Sequence, residues 1–349
     1  MNFDTKIIDC TEKLPKSDIL AAAEIIKNGG LVVFPTETVY GIGADATSSD
    51  AAMKIYEAKG RPSDNPLIIH VARPEDVERY AETCELYYKL ADAFMPGPIT
   101  VVLPVKSTIP KATTGGLDTV AVRCPSHPSA RRLIELSGVP IAAPSANLSG
   151  SPSPTSAIHV IDDMQGRVEM IIDGGECDIG LESTIVKIDG EDKLTLLRPG
   201  KITPEQLLSV VGSLEISTAV TNKLKDGERV QSPGMKYRHY APKSSLTLIS
   251  GNTEPIVSYI KSKNHKALGI ICYLEDKVLF ESNFPDAYIY VIGTKADELS
   301  QAHKLFAVLR LCDKKTYDMI YAPVPSSNGI GLALYNRMIR AAAYQIINL

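Results

Sequence analysis

The chain has 349 residues, of which 44% are apolar and 22% are charged, and its formal net charge at pH 7 is -4. These values are typical of a folded globular protein, and the length predicts two domains, because a single core rarely grows beyond ~250–300 residues. The slightly negative charge argues against binding nucleic acid through bulk charge, although it permits a local basic patch.

Targeting signals and reactive cysteine motifs are not visible. No apolar run approaches the ~20 residues of a membrane-spanning helix. The opening MNFDTKIIDC lacks the basic and apolar regions of a signal peptide, so we expect a cytoplasmic protein. The six cysteines contain no C-x-x-C pair, which favours reduced and mostly buried thiols over a zinc site or disulfides.

The first predicted elements are a helix and a strand. The segment PKSDILAAAEIIKNGG offers Ser17 as an N-cap, apolar residues at helical spacing and a Gly29-Gly30 stop, and the buried strand LVVF follows. Strands and helices then alternate up to residue 212, which predicts one sizeable mixed sheet. The later strands are PLIIHV, ITVVLPV, TVAVR, VPIAA, EMIID, STIVKI and KLTLL, and the helices include SSDAAMKIYEAK, HPSARRLIEL and TPEQLLSVVG.

The second half of the chain predicts a linker and a smaller domain. Residues 213–243 are polar and poorly periodic, and they end in SPGMKYRHYAP, which proline brackets on both sides. The remainder reads roughly β-α-β-β-α-β-α, which predicts a Rossmann-like domain over 244–349. The fold class is therefore α/β, with a larger mixed-sheet domain over 1–212 and a smaller doubly wound domain after the linker.

Familiar catalytic and nucleotide-binding motifs are absent or weak. The stretch GIGADA at 41–46 matches a dinucleotide fingerprint, but the next predicted strand ends near His70 and not at an acid that would hold a ribose. A nicotinamide cofactor is therefore disfavoured. The sequence contains no P-loop, no G-x-S-x-G and no H-E-x-x-H, and its histidines show no metal-ligand spacing.

Polar clusters at the predicted strand ends are the remaining candidates for a site, because open α/β sheets place their ligands there. Arg123 stands within the apolar strand TVAVR, where a charge needs a partner or a ligand. An arginine can hold a carboxylate through two parallel hydrogen bonds. The hydroxyl-rich loop APSANLSGSPSPTS, directly after VPIAA, is a candidate for cradling phosphate or ribose oxygens.

Eight motifs occur in the order and spacing of one known family. They are FPTETVYGIGADA, KGRPSDNPL, PGPITVVL, VAVRCPSHP, APSANLSG, ESTIVKI, LLRPG and SPGMKYRHYAP. On these residues the chain resembles the long, two-domain form of the threonylcarbamoyl-adenylate synthase family. The resemblance is strong over residues 15–212 and the linker, and general over the C-terminal domain.

The resemblance implies a YrdC-like N-terminal domain with a concave pocket and a nucleotidyltransferase activity. Members of the family join L-threonine, bicarbonate or carbon dioxide, and ATP into threonylcarbamoyladenylate and release pyrophosphate, as the first step of a tRNA modification. The expected partners are these substrates and a downstream threonylcarbamoyl transferase, without a membrane. Direct binding of tRNA and the oligomeric state stay open.

The resemblance also implies the residues of the site, by motif match. The expected threonine contacts are Thr38, His70, Arg123, Ala143 and Ser183. The expected ATP contacts are Arg61, Asn65, Thr119, Ser145, Ser153, Arg198 and Tyr240, the last preferred to Tyr237. The expected catalytic set is Lys59, Arg61, Ser145 and Asn147. We expect no protein metal site, with Mg²⁺ held mainly by the phosphates of ATP.

The linker and two rival functions complete the expectations. We expect SPGMKYRHYAP to fold over the pocket as a lid that shields a labile adenylate from water. One rival is an RNA-binding module that uses the same basic concave face without chemistry. The other is a regulatory protein whose Rossmann-like domain senses a nucleotide. Neither rival accounts for an arginine in an apolar strand together with the hydroxyl-rich loop.

Overall fold

A computed structural model describes residues 2–222 and 240–349. These residues divide into two compact units, of which the first holds 2–149 and 153–220 and the second holds 150–152, 221–222 and 240–349. Each unit has its own sheet. The predicted α/β class, with a large mixed sheet and a separate smaller domain, is confirmed.

The first unit is built on an eleven-stranded mixed sheet in the order β1-β8-β2-β3-β7-β4-β6-β5-β9-β10-β11. The strands are β1 (Lys6–Asp9), β2 (Val32–Phe34), β3 (Gly41–Asp45), β4 (Ile68–His70), β5 (Ile99–Pro104), β6 (Thr119–Arg123), β7 (Ile141–Ala142), β8 (Met170–Asp173), β9 (Thr184–Gly190), β10 (Lys193–Arg198) and β11 (Ser213–Ile216). The α-helices are α1 (Lys16–Lys27), α2 (Ser49–Lys59), α3 (Glu85–Phe94), α4 (Lys111–Thr114), α5 (Pro128–Ser137), α6 (Ala157–Met164) and α7 (Pro204–Leu208).

A buried core beneath α1 and α5 anchors this sheet. Ile19 and Ile26 of α1 and Leu133 of α5 pack against Phe34 and Ile172 of the neighbouring strands. Burial of one large aliphatic side chain contributes about 1.5–3 kcal/mol. The core therefore holds β2 and β7 in place, and polar clusters follow the ends of both strands.

Three details of the first unit differ from the sequence expectations. Ser17 is not the N-cap of α1, because the carbonyl of Pro15 accepts the first helical hydrogen bonds and Ser17 already lies inside the helix. The GIGAD stretch is itself strand β3, paired antiparallel with β2, so it forms no phosphate-binding turn before a helix. Strand β11 lies within the predicted linker and pairs in parallel with β10.

The second unit is a five-stranded parallel sheet in the order β14-β13-β15-β12-β16. It contains a helix between β13 and β14 and a terminal strand that the sequence reading missed. Its strands are β12 (Leu246–Ser250), β13 (Leu268–Tyr273), β14 (Tyr288–Gly293), β15 (Met319–Pro323) and β16 (Ile346–Asn348), and its α-helices are α8 (Thr253–Ser262), α9 (Lys277–Asn283), α10 (Glu298–Cys312) and α11 (Gly331–Ala341).

The cysteines agree with the expectation in part. All six are free thiols, and Cys124, Cys177, Cys272 and Cys312 are buried, whereas Cys84 is exposed. Burial raises the pKa of the Cys124 thiol to about 11, so this thiol stays protonated at neutral pH. The expectation of mostly buried thiols therefore holds for four of the six cysteines, while Cys10 is partly buried and Cys84 is exposed. No helix within 2–222 and 240–349 combines the length and apolar content needed to cross a bilayer.

Candidate active site

The site begins where the parallel strands β4 and β6 end side by side. His70 and Arg123, the last residues of these strands, are register partners, and both are buried. The backbone N–H of Ala143, just beyond β7, donates to the carbonyl oxygen of Ile68 at 2.8 Å. The structure therefore places three of the five predicted threonine contacts on neighbouring strands, with Ala143 beside the start of β4 because β7 runs antiparallel to β4.

Arg123 meets a buried carboxylate. Its Nη2 donates to Oε1 of Glu37 at 2.7 Å, and Oε2 of Glu37 accepts from the backbone N–H of Ser126 at 3.1 Å. Both side chains are only 5–6% exposed. The Nε–H of Arg123 has no hydrogen-bond partner among the described residues although it is buried. Glu37 lies within the motif FPTETVYGIGADA, and no role was expected for it, because a turn alone does not show which strand it faces.

The turn that carries Glu37 is tied to several segments by backbone hydrogen bonds. The N–H of Gly180 donates to the carbonyl of Thr38 at 3.2 Å, and the N–H of Ala146 donates to that of Tyr40 at 2.8 Å. The Oγ1 atoms of Thr36 and Thr38 lie 2.9 Å apart, and both threonines are buried. Thr38 is thus held rigidly beside the Arg123 partner, which supports its place among the threonine contacts.

His70 is a neutral imidazole. Its burial, followed by the neighbouring Arg123 cation, lowers its pKa to about 3. Nδ1 lies 3.3 Å from the carbonyl oxygen of Ile141, and a carbonyl can only accept, so Nδ1 carries the proton and Nε2 keeps its lone pair. The ring also makes an edge contact with Phe34, with 6.1 Å between ring centroids.

Ser183 and Arg198 form a second buried group at the start of β9. The Oγ atoms of Thr100 and Ser183 lie 2.7 Å apart. Arg198 donates from Nε to the Ser183 carbonyl at 3.0 Å and from Nη2 to the Ser183 Oγ at 3.1 Å. A predicted threonine contact and a predicted ATP contact therefore touch each other directly.

Lys59 and the hydroxyl-rich loop form a third group. The ammonium of Lys59, at the C-terminus of α2, donates to the backbone carbonyls of Ser145 and Asn147 and is buried. Ser145 Oγ donates to Asn147 Oδ1 at 2.5 Å, and Asn147 Nδ2 donates to the Leu148 carbonyl at 2.8 Å. Three of the four expected catalytic residues, Lys59, Ser145 and Asn147, are thus connected, and Lys59 holds the shape of the loop.

Arg61 and Asn65 lie on the segment after α2. Gly60 ends the helix with φ at 59°, a left-handed conformation that suits glycine, and so turns the chain toward Arg61. Arg61 Nη2 donates to the carbonyl oxygens of Asn65 and Pro66 at 3.3 and 3.2 Å. The amide of Asn65 is buried, and neither of its two polar atoms has a partner among the described residues.

The last three predicted ATP contacts, Thr119, Ser153 and Tyr240, do not belong to the three groups above. Thr119 opens β6 opposite Pro104, and Ser153 Oγ donates to Oε1 of the buried Glu182 at 2.7 Å. Tyr240 belongs to the second unit, where its buried ring lies 5.1 Å from that of Phe306 between centroids. Its expected contact with ATP stays a prediction. Tyr237 and most of the predicted lid, residues 232–239, lie outside the described residues.

A separate cleft of about 640 Å³ lies outside these three groups. None of the predicted contact residues lines this cleft, although Val71 follows His70 and Ser126 lies three residues after Arg123 in the chain. It is lined by Leu14, Val71, Ala72, Arg73, Asp76, Arg79, Tyr80, Ser126, Pro128, Arg131, Arg132, Ile134, Glu135, Gly138, Val139 and Pro140.

Comparison with known proteins identifies the class. Residues 24–200 match the family model for Sua5, YciO and YrdC proteins, described as "Telomere recombination", and residues 202–343 match the model described as "Threonylcarbamoyl-AMP synthase, C-terminal domain". The two matches define a two-domain protein, in which a YrdC-like domain is followed by the C-terminal domain of threonylcarbamoyl-AMP synthases.

Individual relatives agree over the whole chain. The threonylcarbamoyl-AMP synthase of Pyrococcus abyssi is 44% identical over 98% of this chain and 99% of its own length, and that of Bacillus subtilis is 41% identical over 97% and 98%. The solved structure of Pyrococcus abyssi Sua5 complexed with L-threonine superposes with a TM-score of 0.89, at 43% identity, over 99% of this chain and 100% of that one. The chain therefore belongs to the threonylcarbamoyl-AMP synthase family. It is an enzyme that forms threonylcarbamoyl-AMP by nucleotidyl transfer.

Proposed function

We propose that the residues grouped at this site join L-threonine, bicarbonate and ATP into L-threonylcarbamoyladenylate and release pyrophosphate. The observation that carries the proposal is Arg123, a buried arginine at the end of an apolar strand whose Nε–H has no partner among the described residues. A buried donor without a partner costs about 1–3 kcal/mol. A carboxylate ligand supplies the missing acceptor, and threonine carries one.

The proposed threonine pocket is built from these neighbouring strands and the turn that carries Glu37. Arg123 holds the carboxylate, and its bond to Glu37 fixes the plane of the guanidinium. His70, neutral with Nε2 as an acceptor, receives a hydrogen bond from a donor on the amino acid. Thr38 and Ser183 supply hydroxyl contacts and Ala143 a small apolar wall. The relative from Pyrococcus abyssi, whose structure contains L-threonine, supports this choice of substrate.

The ATP contacts are assigned to the group of Ser183 and Arg198, to the group of Lys59 and its loop, and to residues next to these groups in the chain. Asn65 has an unpartnered donor and acceptor among the described residues, which suits the alternating edge of a nucleobase or the hydroxyls of a ribose. Arg61 and Arg198 supply cations to the triphosphate, and Lys59 holds the loop of Ser145 and Asn147 that receives it. The remaining proposed contacts are Thr119, Ser153 and Tyr240.

The chemistry requires alignment and charge neutralisation more than acid–base catalysis. The amine of threonine and bicarbonate form a carbamate with release of water, and the proton of the threonine ammonium goes to solvent. The carbamate is already an anion, so its attack on the α-phosphorus, which expels pyrophosphate, needs no protein base. Nucleotidyl transfer is then promoted by holding attacking and leaving oxygens in line and by placing cations beside the phosphates. The described residues contain no cluster of three or more His, Cys, Asp or Glu fit to hold a metal ion. Mg²⁺ is assigned to the ATP phosphates, because this cation prefers oxygen ligands and commonly binds through substrate phosphates.

The test is mass spectrometry of a reaction that contains the full chain, ATP, Mg²⁺, bicarbonate and L-threonine, with controls that lack threonine or bicarbonate. We expect a threonylcarbamoyladenylate product that requires both, together with pyrophosphate. Folded protein that forms neither product would overturn the assignment and favour an RNA-binding role. Because the adenylate hydrolyses in water, we propose that a threonylcarbamoyl transferase consumes it to modify tRNA.

A further inference from the structure

The second unit contains a cavity of about 190 Å³ at the carboxyl end of its parallel sheet. Three strand ends border it, those of β12, β13 and β15, together with the first turn of α8 and the residues after β14. The full lining is Ile249, Ser250, Gly251, Thr253, Ile256, Ile260, Ile270, Ile271, Cys272, Tyr273, Asp276, Phe280, Lys295, Tyr321, Ala322, Pro323 and Val324. None of these residues takes part in the site described above.

The strand order places this cavity at a topological switch point. The chain passes from β12 to β13 to β14 in one direction along the sheet, and from β14 to β15 to β16 in the other. Because parallel crossovers are right-handed, the connections that leave the neighbouring strands β13 and β15 lie on opposite faces. Open α/β sheets bind their ligands in the crevice that such a divergence leaves outside the carboxyl ends of the strands.

The floor of the cavity is apolar and rigid. Ile260, Ile270, Phe280 and Tyr321 are members of the buried core on the α8 and α9 face of the sheet. The Tyr321 hydroxyl lies 3.1 Å from Nε2 of His265, so its polar end is already satisfied. A ligand that enters the cavity therefore meets hydrocarbon and aromatic surface at its inner end.

The charged groups lie together at the rim. Lys295 Nζ lies 2.7 Å from Oδ1 of Asp276, and the Thr253 hydroxyl lies 3.5 Å from the same oxygen. Lys295 is half exposed, whereas the Asp276 side chain is only 16% exposed. These two are the charged residues of the lining, so its formal charge sums to zero.

Size and charge together restrict the ligand. The cavity is smaller than the ~300–1,000 Å³ of sites for drug-sized molecules, which argues against a whole nucleotide. A lining without net positive charge also disfavours a phosphate. An α-amino acid carries an ammonium and a carboxylate on one carbon, so both of its charges lie at one end and its side chain lies at the other. This pattern matches opposite charges at a rim above an apolar floor.

We propose that the second unit binds an apolar α-amino acid in this cavity, with its ammonium on Asp276, its carboxylate on Lys295 and its side chain among Ile260, Ile270 and Phe280. The two charges of the ligand insert between the paired residues and replace one ion pair with two. The site is distinct from the threonine pocket, since the two share no residue.

The proposal is tested by isothermal titration of the full chain with L-leucine, L-isoleucine, L-valine, L-methionine and L-phenylalanine, both without L-threonine and in the presence of saturating L-threonine. We expect saturable binding of at least one of them with a 1:1 stoichiometry. Asp276→Asn and Lys295→Gln should each weaken it at least tenfold. Lys277→Gln is the matched control, because Lys277 pairs with Glu281 on α9 and does not line the cavity.

Three results would overturn the proposal. The first is no binding of any of the five amino acids at 10 mM to folded protein. The second is binding that saturating threonine abolishes, which would place the ligand in the catalytic unit. The third is binding that is equally tight in Asp276→Asn, in Lys295→Gln and in the Lys277→Gln control. Ile256→Phe adds a check that does not depend on charge, since it narrows the cavity and should abolish binding while the thermal midpoint of the apo protein changes little.

Discussion

Glu37 and Arg123 form a buried ion pair, with 2.7 Å between Oε1 and Nη2, although 86 residues separate them in the chain. Removal of one partner from such a pair leaves a buried charge and costs about 3–5 kcal/mol. We therefore expect Glu37→Ala to lower the free energy of unfolding of the first unit by this order and to raise the KM for L-threonine, because Arg123 loses the contact that orients it.

The matched control is the surface pair of Arg132 and Glu135, which are 2.6 Å apart and much more exposed. Exposed pairs contribute ~0–1 kcal/mol, so Glu135→Ala should change stability by no more than this and leave the KM unchanged. Urea unfolding followed by circular dichroism, with steady-state kinetics, measures both quantities. Equal destabilisation by the two variants would contradict the role given to Glu37.

The same pair shows what a sequence can and cannot predict about a site. An arginine inside the apolar run TVAVR predicts a buried partner or ligand from local chemistry alone. The identity of the partner depends on the strand order β2-β3-β7-β4-β6, because Glu37 follows β2 and Arg123 ends β6, and three other strands lie between these two in the sheet. No local pattern encodes that order.

The missed elements of the fold have a similar cause. Helix α9 has seven residues and the terminal strand β16 has three, lengths at which local periodicity is weak. β16 is held by its pairing with β12, and strand β3, with its two glycines, by pairing with β2. Pairing with distant strands therefore determines the secondary structure of these short segments. Longer helices such as α1 and α10 can be predicted from the spacing of their apolar residues.

Asn65 allows a prediction that separates stability from binding. Its buried amide has no partner among the described residues, and such a group costs about 1–3 kcal/mol. Asn65→Leu, which has a similar volume, should therefore leave the unfolding free energy without ligand unchanged or higher. It should raise the KM for ATP at least tenfold, since the amide is assigned to the nucleotide.

Asn147→Leu is the contrasting variant, because that amide accepts from Ser145 Oγ and donates to the Leu148 carbonyl. Loss of the Asn147 amide should lower the free energy of unfolding in the absence of ATP. Thermal unfolding of both variants with and without ATP distinguishes the two cases. A clear loss of stability in Asn65→Leu without ligand would show that this amide is satisfied in the apo protein.

Lys59 provides a test of the loop it holds. Its ammonium donates to two carbonyls of the loop, and hydrogen bonds to a charged group contribute ~1.5–3 kcal/mol each. Lys59→Met should release Ser145 and Asn147 from their positions and lower kcat/KM for ATP at least a hundredfold. Lys54→Met is the control on the same helix, because Lys54 also donates to a carbonyl, that of Gly29 at 2.6 Å, away from the site. It should leave kcat/KM within about twofold, and a comparable loss in both variants would contradict the assignment.

His70 should make the stability of the first unit depend on pH. Its pKa is about 3 in the folded protein and ~6.5 when unfolded, so the unfolded chain binds the proton more readily. The stabilisation is fully present above pH 6.5 and is lost as the pH falls toward 3, with a slope that approaches ~1.4 kcal/mol per pH unit. His70→Gln should lack this component. Urea unfolding at pH 7, 6, 5 and 4 measures the difference in slope, and parallel profiles for the two proteins would show that His70 is accessible to protons in the folded state.

The preference for threonine over serine should be modest. The two substrates differ by one methyl group, which an apolar pocket discriminates by only ~1–3 kcal/mol, or roughly 10–200-fold in kcat/KM. The buried residues around Arg123 and Ala143 offer packing against that methyl group, but no hydrogen bond can distinguish the two amino acids, since both carry the hydroxyl, the ammonium and the carboxylate. We therefore expect seryl-carbamoyladenylate to form at a measurable rate when threonine is replaced by serine, detected by the same mass spectrometry. A serine reaction faster than the threonine reaction would contradict the assignment of the threonine pocket to the residues around Arg123 and Ala143. These side chains are expected to pack against the methyl group, and packing of this kind favours threonine.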